Sequence, residues 1–317
     1  MKRQQQKKRP KFDIDGWLVL DKPIGLTSND ALSRLKRLFH PKKVGHAGTL
    51  DPAASGCLPI AFGEATKTVP YVMDGRKVYR FAVRWGEETD TDDTEGTVID
   101  TSDVRPQPEA IREILPEFTG TIEQIPPKFS AIKIGGERAY DLAREGAEVE
   151  LQAREIDVHR LDLVETPDAD TAVFETECGK GTYVRALARD MGRRLGTCGH
   201  VVELRRLLVG PFGEEDMVTL EELGQAVEEA ETPVAAAMEE LMPVETALEA
   251  LSEVAVNRND EARLRRGQGI LMRGRDAPVL GGEVFVTCQG RLVAICTAER
   301  GELKPRRVFM IGAESQD

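Results

Sequence analysis

The sequence predicts a mixed α+β protein of two domains, and three observations carry that expectation. Its 317 residues exceed the usual size of one domain and, at 40% hydrophobic, can bury a sizeable core. Segment 78–85 alternates as a strand does, with Tyr79, Phe81, Val83 and Trp85 on one side and Arg80 and Arg84 on the other. Segments 28–39 and 184–195 instead repeat apolar residues at helical spacing, and the chain beyond 250 turns β-rich.

In order along the chain, residues 1–12 are rich in Lys, Arg and Gln, with little to bury, and read as a flexible basic arm. A short strand over 16–20, closed by Lys22-Pro23, opens the folded body. Thr27 or Ser28 can cap the next helix, because a side-chain oxygen there accepts from an unpaired first-turn N–H. Ala31, Leu32, Leu35, Leu38 and Phe39 form its apolar face, Arg34, Lys36 and Arg37 lie on the other, and His40-Pro41 ends it. A glycine-punctuated loop covers 45–63, and 101–108 reads as a surface connection before a helix over 109–118. Gly135-Gly136 signals a hairpin within 132–138, and 171–178 reads as a strand. After Gly179 and Gly181 a helix starts, with Val184, Leu187, Ala188, Met191 and Leu195 inward and Arg185, Arg189 and Arg193 along one ridge. One or two helices are expected over 211–250, a domain boundary near 250, and a β-rich 251–317 with turns at Gly281-Gly282 and Gln289-Gly290.

Charge and cysteines narrow the class. The net charge is −12, yet 211–250 alone holds twelve Asp or Glu and no Lys or Arg. Residues 1–50 carry twelve Lys or Arg against four Asp, the local footprint of a nucleic-acid binder or of a solvated basic face. No run approaches the roughly 18 apolar residues of a membrane span, and no apolar signal core follows the basic start, so the expectation is a cytoplasmic protein with no membrane partner. Cys57, Cys178, Cys198, Cys288 and Cys296 are odd in number and never form Cys-x-x-Cys, which suits reduced thiols rather than a disulfide frame or metal site.

The densest chemistry is Gly45-His46-Ala47-Gly48-Thr49-Leu50-Asp51-Pro52. Proline biases Asp51 toward extended backbone, and the glycines permit close approach of a ligand. By itself the pattern also fits a structural turn. The run GHAGTLDPAASGCLPIAFGEATK, preceded by DKPIGLTSND and followed by KVYRFAVRWGEETDTDD, resembles the bacterial tRNA pseudouridine synthase B family, relatives of the dyskerin-type synthases. IPPKFSAIKIGGERAYDLAREG, CGKGTYVRALARDMGRRLG and LRRLLVGPF continue the resemblance in order over about 16–213. The chain beyond 251 is similar, less specifically, to a PUA-type RNA-binding module.

The resemblance implies a pseudouridine synthase fold, a mostly antiparallel mixed sheet flanked by helices over 13–250, followed by the PUA-like domain. It implies isomerisation of uridine 55 in the tRNA T-loop without a cofactor, by a monomer that needs no protein partner. Asp51 matches the catalytic aspartate; a carboxylate suits the reaction as a covalent nucleophile, with attack on C1′, addition to C6 and a glycal route all open. Arg185 matches the arginine that pairs with that carboxylate, and a cation in a helix's first turn, opposed by the macrodipole, favours such a partner. Tyr79 matches the aromatic that stacks on the everted base, although its strand face also suits a core residue. His46 matches the histidine associated with the flipped-out RNA, and Tyr183 supports the Asp51 loop. Lys22, Lys67, Lys77, Lys128, Arg205 and Arg206 fall in family motifs as phosphate or loop contacts. Arg189 and Arg193 join that footprint, so replacing either is expected to weaken RNA binding and flatten its salt dependence. The family usually has Tyr at Phe129, Ser at Gly179 and Ile at Val184.

Two other classes fit parts of the sequence. A tRNA-binding protein without turnover would keep the basic ridges, but the intact Asp51, Tyr79 and Arg185 disfavour it. A glycoside hydrolase would need a second carboxylate from Asp90, Asp92 or Asp93, a run that reads better as a turn.

Overall fold

The computed structural model describes residues 10–130, 133–134, 137–138, 151–272 and 281–311. Nine strands form the main sheet: β1 (Gly16–Lys22), β2 (Val44–His46), β3 (Ala54–Phe62), β4 (Lys77–Trp85), β7 (Gly120–Gln124), β10 (Arg154–Glu165), β11 (Thr171–Cys178), β12 (Gly199–Val209) and β13 (Met217–Val218). Their order is β13-β1-β3-β12-β4-β11-β10-β7, with β2 also on β3. Only β1 with β13 and β3 with β12 run parallel, so the sheet is mixed and mostly antiparallel. Small pairs complete the strands: β5 (Glu87–Thr89) with β6 (Val98–Thr101), and β8 (Lys133–Ile134) with β9 (Glu137–Arg138), the pair that the two intervening glycines predict.

Helix α1 (Ser28–Phe39) is capped by Thr27 in a reciprocal box with Asp30, and His40 ends it in the left-handed region. Its buried Ala31, Leu32, Leu35 and Phe39 pack on Leu18, Leu20, Leu58, Ile60 and Phe62 of β1 and β3. Helices α2 (Val69–Asp74) and α3 (Pro108–Ile114) follow, α3 continuing as a 3₁₀ turn through Phe118. On α4 (Val184–Arg194), Val184, Leu187, Ala188 and Met191 join Phe81, Val83, Trp85 and Phe174 in a second core. The acidic segment yields two helices, α5 (Leu220–Glu229) and α6 (Pro233–Glu239).

Beyond 250 a separate five-stranded sheet, β14 (Ser252–Ala255), β16 (Gly282–Cys288), β17 (Arg291–Glu299), β18 (Glu302–Val308) and β15 (Ile270–Leu271), packs with α7 (Arg258–Arg265). It is not hung on a linker. Leu292, Ile295 and Phe309 share one apolar cluster with Trp17, Val19, Val72 and Phe212 of the main body. At the other end, Phe12 bridges to Pro41 and donates to the His40 carbonyl, so regular contacts begin inside the segment expected to be a free arm; residues 1–9 lie outside the described residues.

Candidate active site

Asp51 sits on the connection between β2 and β3, and that connection is fixed from several sides. Buried Ser28 accepts from the Leu50 N–H at 2.8 Å and donates to the Leu50 carbonyl at 3.0 Å. The Gly25 N–H donates to the Pro52 carbonyl, and the Ala47 N–H to the Pro59 carbonyl. Arg206 reaches in from β12, donating to the carbonyls of Cys57 (2.7 Å), Gly48 (3.1 Å) and Thr49 (3.4 Å). The sheet register sets this up, because Arg206 lies opposite both Gly56 on β3 and Tyr79 on β4. A side chain at Gly56 would fall 2.2 Å from the Arg206 carbonyl, so this crossing requires glycine there.

The loop leaves the Asp51 side chain 40% exposed, while the Arg185 side chain beside it is only 7% exposed, with Nη2 2.9 Å from Oδ2. Arg185 stands at the start of α4, and Gln124 fixes that entry by accepting from the Tyr183 N–H and donating to its carbonyl. Asp93, nearly buried, takes Nη1 at 3.2 Å, and the carbonyls of Thr91 and Phe129 accept at 2.8 and 2.9 Å. The first-turn cation therefore has two carboxylates against the macrodipole. The acidic run after β4 is a turn that serves this helix, as Asp93 binds Arg185 and Asp92 binds Arg189. Burial pushes the Asp92 carboxyl up to about 6, with Arg189 opposing that rise.

A cavity of about 310 Å³ opens at this pair, lined by Asp51, Tyr79, Tyr183, Arg185, Lys77 and Arg206 among others. Tyr79 packs partly against both cores while presenting a surface to the cavity. Burial raises both phenols' pKa, and Arg206 opposes the rise at Tyr79. A larger cavity, about 530 Å³, lies against Glu88, Asp92, Arg189 and Arg193, but those groups are already paired with one another. A carboxylate at the mouth of an aromatic, cation-lined hollow can attack or orient a neutral ring taken out of a stack.

The TruB family pseudouridylate synthase N-terminal domain matches residues 36–184, and the tRNA pseudouridylate synthase B C-terminal domain matches 185–249. The chain is 62% identical over 304 residues to tRNA pseudouridine synthase B of Bradyrhizobium diazoefficiens, covering 96% of this chain and 88% of that one. It is 57% identical over 310 residues to the protein of that name from Agrobacterium fabrum, covering 97% and 98%. The chain belongs to the TruB family. A solved Cbf5-Nop10-Gar1 complex contains a chain similar in structure, with TM-score 0.72 and 27% identity, covering 93% of this chain and 85% of that one. A second neighbour, at TM-score 0.71 and 26% identity, comes from an H/ACA RNP bound to a substrate RNA containing 2'-deoxyuridine, covering 93% and 85%. As a TruB-family member the chain is a pseudouridylate synthase, an isomerase.

Within this TruB-family site, most of the cations expected to face phosphates are instead engaged internally. Lys22, fully buried, donates to the carbonyls of Pro23 and Leu26, and burial lowers its ammonium to about 8. Lys77 donates to the carbonyls of Met73 and Gly75 and is likewise lowered to about 8 by burial. Lys67 joins the two sheets, bonding Glu64 and the Val308 carbonyl beside the Phe309 ring. Arg205 binds Asp21 and Glu214, and Arg193 binds Glu88. Arg189 is 8% exposed and held by Asp92, Asp190 and the Ile125 carbonyl, so it braces α4 rather than standing on an open ridge. His46 is half-buried at the end of β2, outside the cavity lining, with its pKa lowered by burial and then by Arg206.

The departures from the family pattern are mild. Phe129 still serves Arg185 through its carbonyl, and a Cβ at Gly179 would stand at ordinary contact, 3.5 Å from Asp157. Ser28, Asp93 and Gln124 were not singled out for these contacts: Ser28 and Asp93 fall within the quoted motifs, but what all three do depends on partners 22, 92 and 59 residues away.

Proposed function

We propose that this chain converts uridine 55 in the T-loop of tRNA to pseudouridine, with Asp51 as nucleophile on a flipped-out nucleotide. The observation that carries the reading is the 2.9 Å Asp51–Arg185 pair, whose carboxylate is open to solvent while its cation is buried. That asymmetry suits a carboxylate that is held and aimed while a nucleoside approaches. In the reaction the N1–C1′ bond breaks, the uracil turns in place, C5 bonds to C1′, the proton on C5 is released to solvent, and N1 takes up a proton in its place. Apart from that exchanged proton every atom of the product comes from the nucleoside, so the balance calls for no cofactor. Tyr79 replaces part of the stacking lost on eversion, and the buried cations nearby favour the polyanion. Related tRNA pseudouridine synthase B proteins support tRNA as substrate, and the C-terminal sheet acts as a PUA-like RNA-binding surface. The enzyme works as a monomer in the cytoplasm.

The test is release of tritium from an unmodified tRNA transcript labelled at uridine C5. Wild type releases one tritium per tRNA, only when uridine 55 is present; Asp51→Asn releases none yet retains substantial affinity, since affinity is spread over many phosphates. Release from a transcript lacking uridine 55, or loss of binding in Asp51→Asn, contradicts the assignment.

A further inference from the structure

Buried side-chain polar atoms in folded proteins nearly always find a partner, and the exceptions cluster where a partner arrives from outside. Among the described residues, three buried side-chain nitrogen or oxygen atoms make no well-formed hydrogen bond, His46 Nδ1, Ser130 Oγ and Thr182 Oγ1; their polar neighbours, the Gly48 backbone, the Tyr183 phenol and the Cys178 thiol, are loosely placed. Ser130 and Thr182 both line the Asp51 cavity, and His46 leads into the Asp51 loop. Two of the three thus collect at one site, with His46 at the end of the strand that leads to it. Ser130 is the most informative, being only 3% exposed.

The surroundings of Ser130 define what it can accept and donate. It follows Phe129, whose carbonyl is already taken by Arg185, and its hydroxyl stands beside the Tyr183 phenol, lowering that phenol's pKa against the rise from burial. A serine hydroxyl has one donor and two acceptor positions, so contact with a phenol still leaves its own proton to place. Uracil brings two carbonyl oxygens and one N–H on its free edge, and the Asp51 cavity is where the ring is expected.

Resting on the proposed uridine isomerisation, we propose that the Ser130 hydroxyl donates to a carbonyl oxygen of the everted uracil, with Tyr183 steadying it. Ser130 then holds the base while it turns between N1 and C5 attachment. Its bond to the base forms only with substrate, so its larger contribution is to turnover rather than to the fold of the free enzyme, where Tyr183 is its neighbour. Removing a buried hydroxyl whose only internal neighbour is loosely placed relieves a largely unmet desolvation penalty, which sets the expected direction on stability.

The experiment compares wild type, Ser130→Ala and Ser130→Cys by tritium release, tRNA affinity and thermal unfolding. Ser130→Ala is expected to lower kcat by about 10- to 100-fold, as for loss of one directed bond to the reacting group, with tRNA Kd within about twofold. Its Tm stays level or rises, and Ser130→Cys, a weaker donor of similar shape, falls between. Replacing O2 or O4 of the target uridine by sulfur, a weak acceptor, slows wild type for the oxygen concerned and adds little in Ser130→Ala. A wild-type rate in Ser130→Ala overturns the inference. So does a lowered Tm that accounts for the lost activity, since it would reveal an internal partner, and so does additivity with both sulfur substitutions. Failure of wild type itself to release tritium would instead strike the isomerase reading, so the two failures are distinguishable.

Discussion

Arg189 on α4 and Arg206 on β12 are both nearly inaccessible, 8% and 2% exposed, yet their surroundings differ in kind. Arg189 is matched by the carboxylates of Asp92 and Asp190, whereas Arg206 meets no carboxylate among the described residues, donating to the carbonyls of Gly48, Thr49 and Cys57 beside the Tyr79 phenol. Lys22 and Lys77 follow the Arg206 pattern, donating to carbonyls and forming no salt bridge among the described residues. A carboxylate cancels a cation's field; a carbonyl satisfies its N–H groups and leaves most of the charge. The α4 pairs therefore brace a helix, while the group at the cavity keeps a positive field beside Asp51 that a polyanion can use.

The largest effect is expected at Arg206. Arg206→Gln keeps two N–H donors but removes the charge, and it should lower kcat by roughly 10²–10³-fold, as removal of a preorganised electrostatic group does. Single-turnover tritium release measures it. If Arg206→Gln isomerised at the wild-type rate, the carbonyl-held charge would have no catalytic consequence and the comparison would fail at its strongest point. Arg189→Met should act elsewhere: it strands Asp92 in the interior, costing about 3–5 kcal/mol of stability by urea unfolding. The folded fraction should keep its kcat and its salt dependence of tRNA binding, contrary to the expectation from the ridge.

A pH titration sharpens the contrast. The Lys77 ammonium lies at about 8 in the folded protein against an ordinary 10.5, lowered first by burial and then by Arg206. Because the folded value is the lower one, its charge is present below about pH 8 and is lost as pH rises, well before an exposed lysine would titrate. Binding an anion favours the charged form. Affinity of Asp51→Asn for tRNA should therefore weaken as pH rises through 8, and Lys77→Arg should flatten that fall, since guanidinium stays charged. An affinity independent of pH from 7 to 9.5 would detach Lys77 from RNA binding.

What could be read in the sequence follows the same divide. Strand 171–178, the inward stripe of α4 and the capped α1 were legible because each is written in local periodicity or capping chemistry. Asp51 and Arg185 were legible as motif matches, and the first-turn position of Arg185 already called for an anion. The identity of each cation's partner was not legible. Arg189 and Arg206 sit in equally basic stretches, and only the placement of Asp92, 97 residues from Arg189, and of the Gly48 carbonyl, 158 residues from Arg206, separates their roles. The shared core of the two sheets was hidden for the same reason, since Phe309 meets Lys67 across the whole chain.

Lys180 is the case that tests whether pairing itself, or burial of the pair, is the deciding property. It lines the Asp51 cavity and binds Asp74 at 2.8 Å, so by pairing alone it would group with Arg189. Both side chains are well exposed, however, at 70% and 62%, and an exposed pair contributes little because water and salt screen it. A phosphate can then displace Asp74 at small cost. Lys180→Ala should change stability by less than about 0.5 kcal/mol while reducing the slope of log Kd against log salt by about one. An unchanged slope would place Lys180 with the bracing cations and make pairing the criterion. The expected drop would show that a cation near this cavity is lost to RNA only when its carboxylate partner is buried with it.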